Sequence, residues 1–307
     1  MIWLLFALLS AALLGFYDVF KKRSLNGNAV IPVLLINTLL CSAFFLPLLL
    51  GSWSGMLQSG DAGFIVSGNG TAHGLVILKS CLVLSSWICG YFAIKHLPLT
   101  IVGPINAGRP VLTLLGALFI YGEWLNGWQW AGVLLAIVSF FLLSRTGRKE
   151  GIDFKSNRWI YLLVAAALLG ASSGLFDKYL LAPVANGGAG LDRLFVQSWY
   201  NLYQAVMMLG ITILLWVPVR HKTAPFQWRW SIVLISVFLT LADLAYFYAL
   251  SQPGALIAVV SMVRRSSVLV SFLFGALLFH ERNLKSKAFD LLLVLLGVIC
   301  LYIGSAA

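Results

Sequence analysis

The chain has 307 residues, of which 61% are hydrophobic and only 10% charged, and its mean hydropathy is +0.94. A soluble domain carries about 25% charged residues, so a soluble globular fold is excluded; a lipid-facing barrel, whose strands alternate apolar and polar over about 10 residues, is excluded by long uninterrupted apolar runs. The formal net charge of +11 lies in short segments between those runs, which argues against nucleic acid as a partner.

Runs of about 18 or more apolar residues read as membrane-spanning helices. The first, MIWLLFALLSAALLGFYDVFKKRS, carries its positive charges after the apolar stretch and has no small-residue cleavage site, so it reads as a retained span rather than a signal peptide. Taken in order, the expected spans are 2–20, 30–50, 73–95, 98–121, 125–144, 159–181, 193–218, 229–250, 253–278 and 288–305. The longest loop, 51–72, is rich in Gly and Ser and reads as irregular structure. A polar linker, RTGRKEGIDFKSNR at 145–158, divides the chain near its middle. The expected fold class is therefore an all-α integral membrane protein of ten transmembrane helices.

Lysine and arginine collect on one side of these spans. Lys21, Lys22, Arg23, Lys95, Arg145, Arg148, Lys149, Lys155, Arg158, Arg220, Lys222, Arg229, Arg282, Lys285 and Lys287 fall on one face. Lys178 and Arg193 fall on the other, with Lys79 at a span edge. The positive-inside rule makes the first face cytoplasmic and places both termini outside an inner or plasma membrane. The Asn69-Gly70-Thr71 sequon would face outward, although chance is the simpler account of it. Cys41, Cys81, Cys89 and Cys300 all lie inside apolar runs without metal spacing and read as small buried hydrophobes. No metal site and no cofactor is implied.

The two halves echo each other. AALLG occurs at 11–15 and 166–170, and Asn37 in INTLLC matches Asn201 in YNLYQA. YFAIKHLPLTIVGPINAGR (91–109) aligns without a gap on YFYALSQPGALIAVVSMVR (246–264), so Tyr91, Phe92, Pro98 and Arg109 fall on Tyr246, Phe247, Pro253 and Arg264. Each half contains an odd number of spans, so the repeats run in opposite directions. The expected organisation is a first five-helix repeat at 1–144, the linker at 145–158, and a second repeat at 159–307. Inverted repeats of this kind place a substrate site at their interface near the bilayer midplane.

With this duplication, Pro98 after a short turn, Pro110, the terminal Gly122-Glu123 and its counterpart His280-Glu281, the sequence resembles the drug/metabolite transporter superfamily in its EamA-like ten-helix branch. The resemblance implies a central cavity built by helices of both halves, alternating access, and a small organic metabolite as substrate. The chain departs from the family pattern in two ways. Many members are described with cytoplasmic termini, whereas the charges here favour external ones, and Arg265 stands where the second half would match Pro110.

Arg109 and Arg264 each lie eleven residues into their span, counted from Pro98 and Pro253. That is about 16 Å at 1.5 Å per residue, half of a roughly 30 Å hydrocarbon core. A charge there is costly and functional by default. Arg265 lies beside the second. Asp243 reads as the only deeply placed acid, while Asp18 and Asp177 read as local partners of Lys21 and Lys178. The excess positive charge calls for an anion, a wet cavity, or carbonyls freed by a broken helix around Gly103, Pro104, Gly108 and Pro110. A carboxylate or phosphate suits the planar guanidinium. The structural alternative is that one arginine pairs with Asp243 and another caps carbonyls.

Other candidates for the same cavity are Gln197, Tyr200, Asn201 and Gln204 on one stripe of the seventh span, Trp87 and Tyr91 on the third, and Asn37, Asn106, Tyr246 and Ser261. Interhelical hydrogen bonding is the plainer role for each. Trp128, Trp130, Trp228 and Trp230 read as interfacial anchors. GASSG (170–174) has the G-x-S-x-G spacing but lies inside a span, so close helix packing explains it better than catalysis. The expected function is a secondary transporter of a small, anionic organic metabolite, without enzymatic activity. Proton coupling through Asp243 is one option beside exchange and uncoupled movement. The alternatives are the same fold carrying a neutral or cationic compound with structural arginines, an intramembrane enzyme, and a membrane protein without transport. The oligomeric state stays open.

Overall fold

The computed structural model describes residues 2–61, 63–109, 111–112, 126–148, 152–181, 184–251, 263–264, 266–279 and 284–306. Ten α-helices occur among them: α1 (Ile2–Leu25), α2 (Val30–Trp53), α3 (Gly70–His96), α4 (Leu99–Ala107), α5 (Gly127–Arg148), α6 (Arg158–Leu181), α7 (Arg193–Ile211), α8 (Trp230–Ser251), α9 (Ser267–Leu278) and α10 (Leu284–Ala306). Each expected apolar run carries one of them. Among the described residues, six helical stretches are long and apolar enough to cross a membrane, and three shorter apolar ones accompany them. Ser261, Arg265, Pro110, Gly122-Glu123, Pro253 and His280-Glu281 lie outside the described residues.

Local chemistry sets the ends. Asn69 caps α3 by accepting from the Ala72 N–H at 2.8 Å, and Asp192 caps α7 through Phe195 N–H at 2.9 Å. Each satisfies one of the donors that a helix start leaves over. The sequon asparagine is thus a helix cap. The α1–α2 turn uses Gly27 at φ 66°, a left-handed value that suits glycine. Asn28, fully buried, locks that turn to the loop before α8. Its Oδ1 accepts from Gln227 N–H and its Nδ2 donates to Gln227 O.

α1 continues to Leu25 rather than ending at residue 20, because Lys21 and Lys22 find internal partners. Lys22 Nζ donates to the carbonyls of Ile94 and Leu97, both at 2.6 Å, covering the open end of α3. The principal helix contacts are α1 with α8, α3 with α6, α2 with α7, α4 with α9, and α5 with α10. Lesser ones join α2 to α8, α3 to α7, α1 to α9 and α4 to α6. Exchanging each helix for the one five places along maps the five principal contacts onto one another, whereas α4 also packs on α10 with no α5–α9 contact of like extent among the described residues.

Small residues and hydroxyls make these approaches close, as expected where helices cannot gain from burying apolar surface against lipid. Ser10 donates to Ala242 O across α1–α8 at 2.6 Å, and Ser86 to Ala166 O across α3–α6 at 2.7 Å. A Cβ on Gly15 would stand 2.4 Å from Val270 Cβ, and one on Gly297 would stand 2.9 Å from Gly132 O. The exposed side of the bundle is leucine, isoleucine, valine and phenylalanine, and Trp128, Trp130, Trp228 and Trp230 stand exposed at helix ends as anchors would. Among the cysteines only Cys41 is buried. Cys81 is exposed on the apolar surface, so the expectation of four buried thiols is corrected.

Candidate functional site

A cavity of about 170 Å³ lies inside the bundle between α1, α3, α4, α8 and α9. α4 explains how Arg109 reaches it. The helix starts on Pro98, contains Pro104 and stops at Ala107, with Gly108 as its C-terminal cap. The helix therefore ends two residues before the arginine, and the proline that follows in sequence has no N–H to offer a helix ladder. The guanidinium then runs against α6. A Cβ added at Gly170 would stand 2.9 Å from Arg109 Nη1 and 3.0 Å from Cζ. Gly170 is therefore a berth for that side chain. A Cβ at Gly174 would meet nothing within 4 Å, so the close-packing account of GASSG does not hold there.

Trp87, Tyr91, Asn106 and Arg109, all expected from the sequence, line this one cavity. Tyr91 is 1% exposed, and Asn106 Oδ1 is shielded and makes no hydrogen bond. Opposite them α1 contributes Tyr17, Asp18 and Lys21, of which Asp18 and Lys21 read from the sequence as a local pair near a span end. Their spacing held the signal, since Leu14, Tyr17, Asp18 and Lys21 fall at i, i+3, i+4 and i+7, one helical face. Lys21 Nζ meets Asp18 Oδ1 at 2.8 Å and lies over the Tyr17 ring at 4.1 Å and the Tyr91 ring at 5.2 Å. The Ser271 hydroxyl donates to the other Asp18 oxygen at 3.3 Å. Ser86 and Ser267 add hydroxyls to the wall. Among the described lining residues, the cavity holds two cations and one carboxylate.

Arg264 is not among the described residues that line this cavity. It pairs with Asp243 and lies over the Tyr246 ring at 4.4 Å, in a separate cluster. This is the pairing that the structural alternative called for. Nearby on α7, the Tyr200 ring sits 5.0 Å from Lys79 Nζ, and Lys79 pairs with Asp177. Lys79 is therefore a buried residue and a partner of Asp177; the side chain of Lys178, the partner expected from the sequence, lies outside what the structure describes. Gln197, Asn201 and Gln204 are buried on the same helix. Asn201 donates to Gln197 O at 2.8 Å, whereas both amide atoms of Gln204 lack partners. Asn37 on α2 accepts from Ser236 at 3.0 Å and leaves its Nδ2 unpaired.

Two further buried charges were missed. Asp290 is 2% exposed and Lys287 fully buried on α10, so Lys287 is a helix residue rather than a loop charge, and Asp290 is a buried acid that the sequence reading did not single out. The Thr146 hydroxyl approaches Asp290 Oδ2 at 3.5 Å. Among the described residues, no group of three or more His, Cys, Asp or Glu side chains is placed to hold a metal ion.

An all-helical bundle with long apolar helices, a lipid-like exterior and a polar-lined interior defines a multi-pass membrane protein. Residues 1–145 match the model of the EamA-like transporter family, so the resemblance read in the sequence holds over that stretch. No curated protein sequence matches the chain. A solved crystal structure aligns with a TM-score of 0.60 at 15% identity, covering 96% of this chain and 95% of that one, and this likeness concerns the fold alone.

Proposed function

We propose that the protein is a secondary transporter that moves a small organic anion by alternating access between two inverted five-helix repeats, 1–144 and 159–307, joined by the linker at 145–158. The observation that carries the anion is Arg109. Its guanidinium lies in a cavity whose described walls hold two cations and one carboxylate, with Tyr91, Asn106 and two serine hydroxyls in reach of the same space. A guanidinium presents a planar fork to a carboxylate or phosphate, and the surrounding phenol, amide and hydroxyls suit the rest of a small polar molecule.

The repeat reading is supported by the five principal helix contacts, which survive exchange of each helix for its counterpart. The family match ends one residue beyond the expected repeat boundary. Tyr91 and Arg109 in the first half have Tyr246 and Arg264 as sequence counterparts. In the state described, the first pair faces a cavity and the second is closed over Asp243. Alternating access would exchange these conditions, with Arg264 released to the substrate as the Arg109 side closes. Asp243 then serves as the internal stand-in for the substrate anion, which makes it a counter-ion ahead of a proton carrier.

The test is a thermal-stability screen of purified protein against organic acids, phosphates, amino acids and amines, repeated on Arg109→Gln. Stabilisation by one class of anion, lost in the variant while its basal melting temperature holds, is the expected result. Hits confined to amines would reject the anion.

A further inference from the structure

A second hollow, about 330 Å³, lies on the flank of the bundle at the end that carries the basic residues. Its walls come from the start of α2, from the last turns of α3 and from the end of α7, with Ile31, Ile88, Phe92, Lys95, Leu215 and Trp216 among them. The shape has a local cause. Pro218 has no N–H for the Leu214 carbonyl, and its ring crowds that carbonyl. α7 answers by widening into a π turn at Thr212–Trp216 and then tightening into a 3-10 turn at Val217–Lys222. π turns inside helices are rare and often accompany function. This one draws the chain aside and opens the groove.

The groove is apolar along its length and positive at its mouth. Ile88, Phe92 and Lys95 follow one face of α3, a rise of about 10 Å from first to last. Lys95 is the charged residue among the described lining residues. Its Nζ donates to Asn28 O at 2.7 Å, which engages one of three N–H groups. Arg220, His221 and Lys222 follow the wall residue Val219 directly and are exposed.

We infer that this groove binds one anionic phospholipid. An acyl chain lies along Ile88, Phe92 and Leu215, and the phosphate meets Lys95 with Arg220 and Lys222 at the rim. Charge complementarity selects the lipid, since basic pockets at a membrane surface recognise anionic head groups. No described lining residue is acidic, so nothing there favours a choline head group.

The test uses the full chain purified in neutral detergent, with phosphatidylglycerol and phosphatidylcholine of identical acyl chains added separately and glycerol phosphate as a soluble control. Melting temperature and bound-lipid adducts in native mass spectrometry are read together. Phosphatidylglycerol is expected to raise the melting temperature by several degrees and to persist as one adduct, and the other two are expected to do neither. Lys95→Gln should lose the difference between the lipids, whereas Lys155→Gln on the exposed linker should keep it. The comparison is made between lipids within each variant, so a change in basal stability cancels. Leu215→Trp, which fills the groove without altering charge, should remove the adduct. Equal stabilisation by both lipids, a preference that survives Lys95→Gln and Leu215→Trp, or a full response to glycerol phosphate alone would each overturn the inference.

Discussion

Gly170→Ala separates binding from stability more sharply than any change in the cavity itself. The new Cβ would stand 2.9 Å from Arg109 Nη1, whereas ordinary contact begins at 3.4 Å. The guanidinium must therefore retreat by about half an ångström. The three atoms nearest that Cβ all belong to the guanidinium, and a flexible side-chain end gives way more readily than backbone. Binding groups need placement to within about 0.5 Å, and a misplacement of about 1 Å can cost roughly 100-fold. A loss of about 10-fold in anion affinity follows, or about 1.4 kcal/mol. Stability should move the other way, because alanine is favoured over glycine inside a helix by roughly 0.5–1 kcal/mol. The assay is the melting temperature with and without the best anion of the screen, followed by titration. A variant that binds the anion like wild type, or one that loses stability and affinity together, would refute both the berth and the role given to Arg109.

Gly15→Val should instead destabilise, by roughly 1–3 kcal/mol for overpacking, because its Cβ would meet Val270 Cβ at 2.4 Å and the Ser267 carbonyl at 2.8 Å; a lowered melting temperature with the anion shift retained checks this. Asp177→Asn strands the Lys79 ammonium, whose side chain is 9% exposed against 38% for the acid. The loss should reach roughly 1–3 kcal/mol after discount for solvent at the carboxylate, and the double variant Lys79→Met/Asp177→Asn should recover most of it in the same melt. Arg264→Lys keeps a charge but not the planar fork over Tyr246; it should leave the anion shift largely intact while slowing transport into vesicles, since the closing pair and not the open cavity is altered. Lys155 N–H, the Ser156 hydroxyl and Arg148 hold the Asp153 carboxyl below its usual range. Its folded value is thus depressed, so its contribution is present above the unfolded value of about 3.9 and fades as pH falls through the folded one. Hydrogen exchange in the 152–158 turn should quicken at acid pH, and Asp153→Asn should show that faster exchange already at neutral pH.

Much of the architecture was legible because lipid imposes one-dimensional rules. A span must be apolar for about 20 residues and must satisfy its own backbone, so each of the ten runs could be read by eye, and a helix lies on every one. Trp87, Tyr91, Asn106 and Arg109 were legible as a set because each is a polar group or indole at a depth where such groups need a reason. The face of α1 was also written in its spacing, at 14, 17, 18 and 21. It was passed over because three consecutive basic residues look like a span end.

Partners were another matter. Asp177 adjoins Lys178 in sequence, yet the structure pairs it with Lys79, 98 positions away. Arg109 and Arg264 occupy matching places in the repeat, yet one lies in a cavity and the other on Asp243. The period of a helix determines which residues share a face. Which neighbour that face meets depends on how ten helices settle together, and the same glycine of AALLG meets Val270 and the Ser267 carbonyl in one half and a guanidinium in the other. Sequence by itself determined the helical elements, their apolar character and the resemblance to a family. Tertiary structure alone decided which of the charges pair with one another and which line the cavity, because a buried charge is governed by the atoms within a few ångströms of it, and these come from distant parts of the chain.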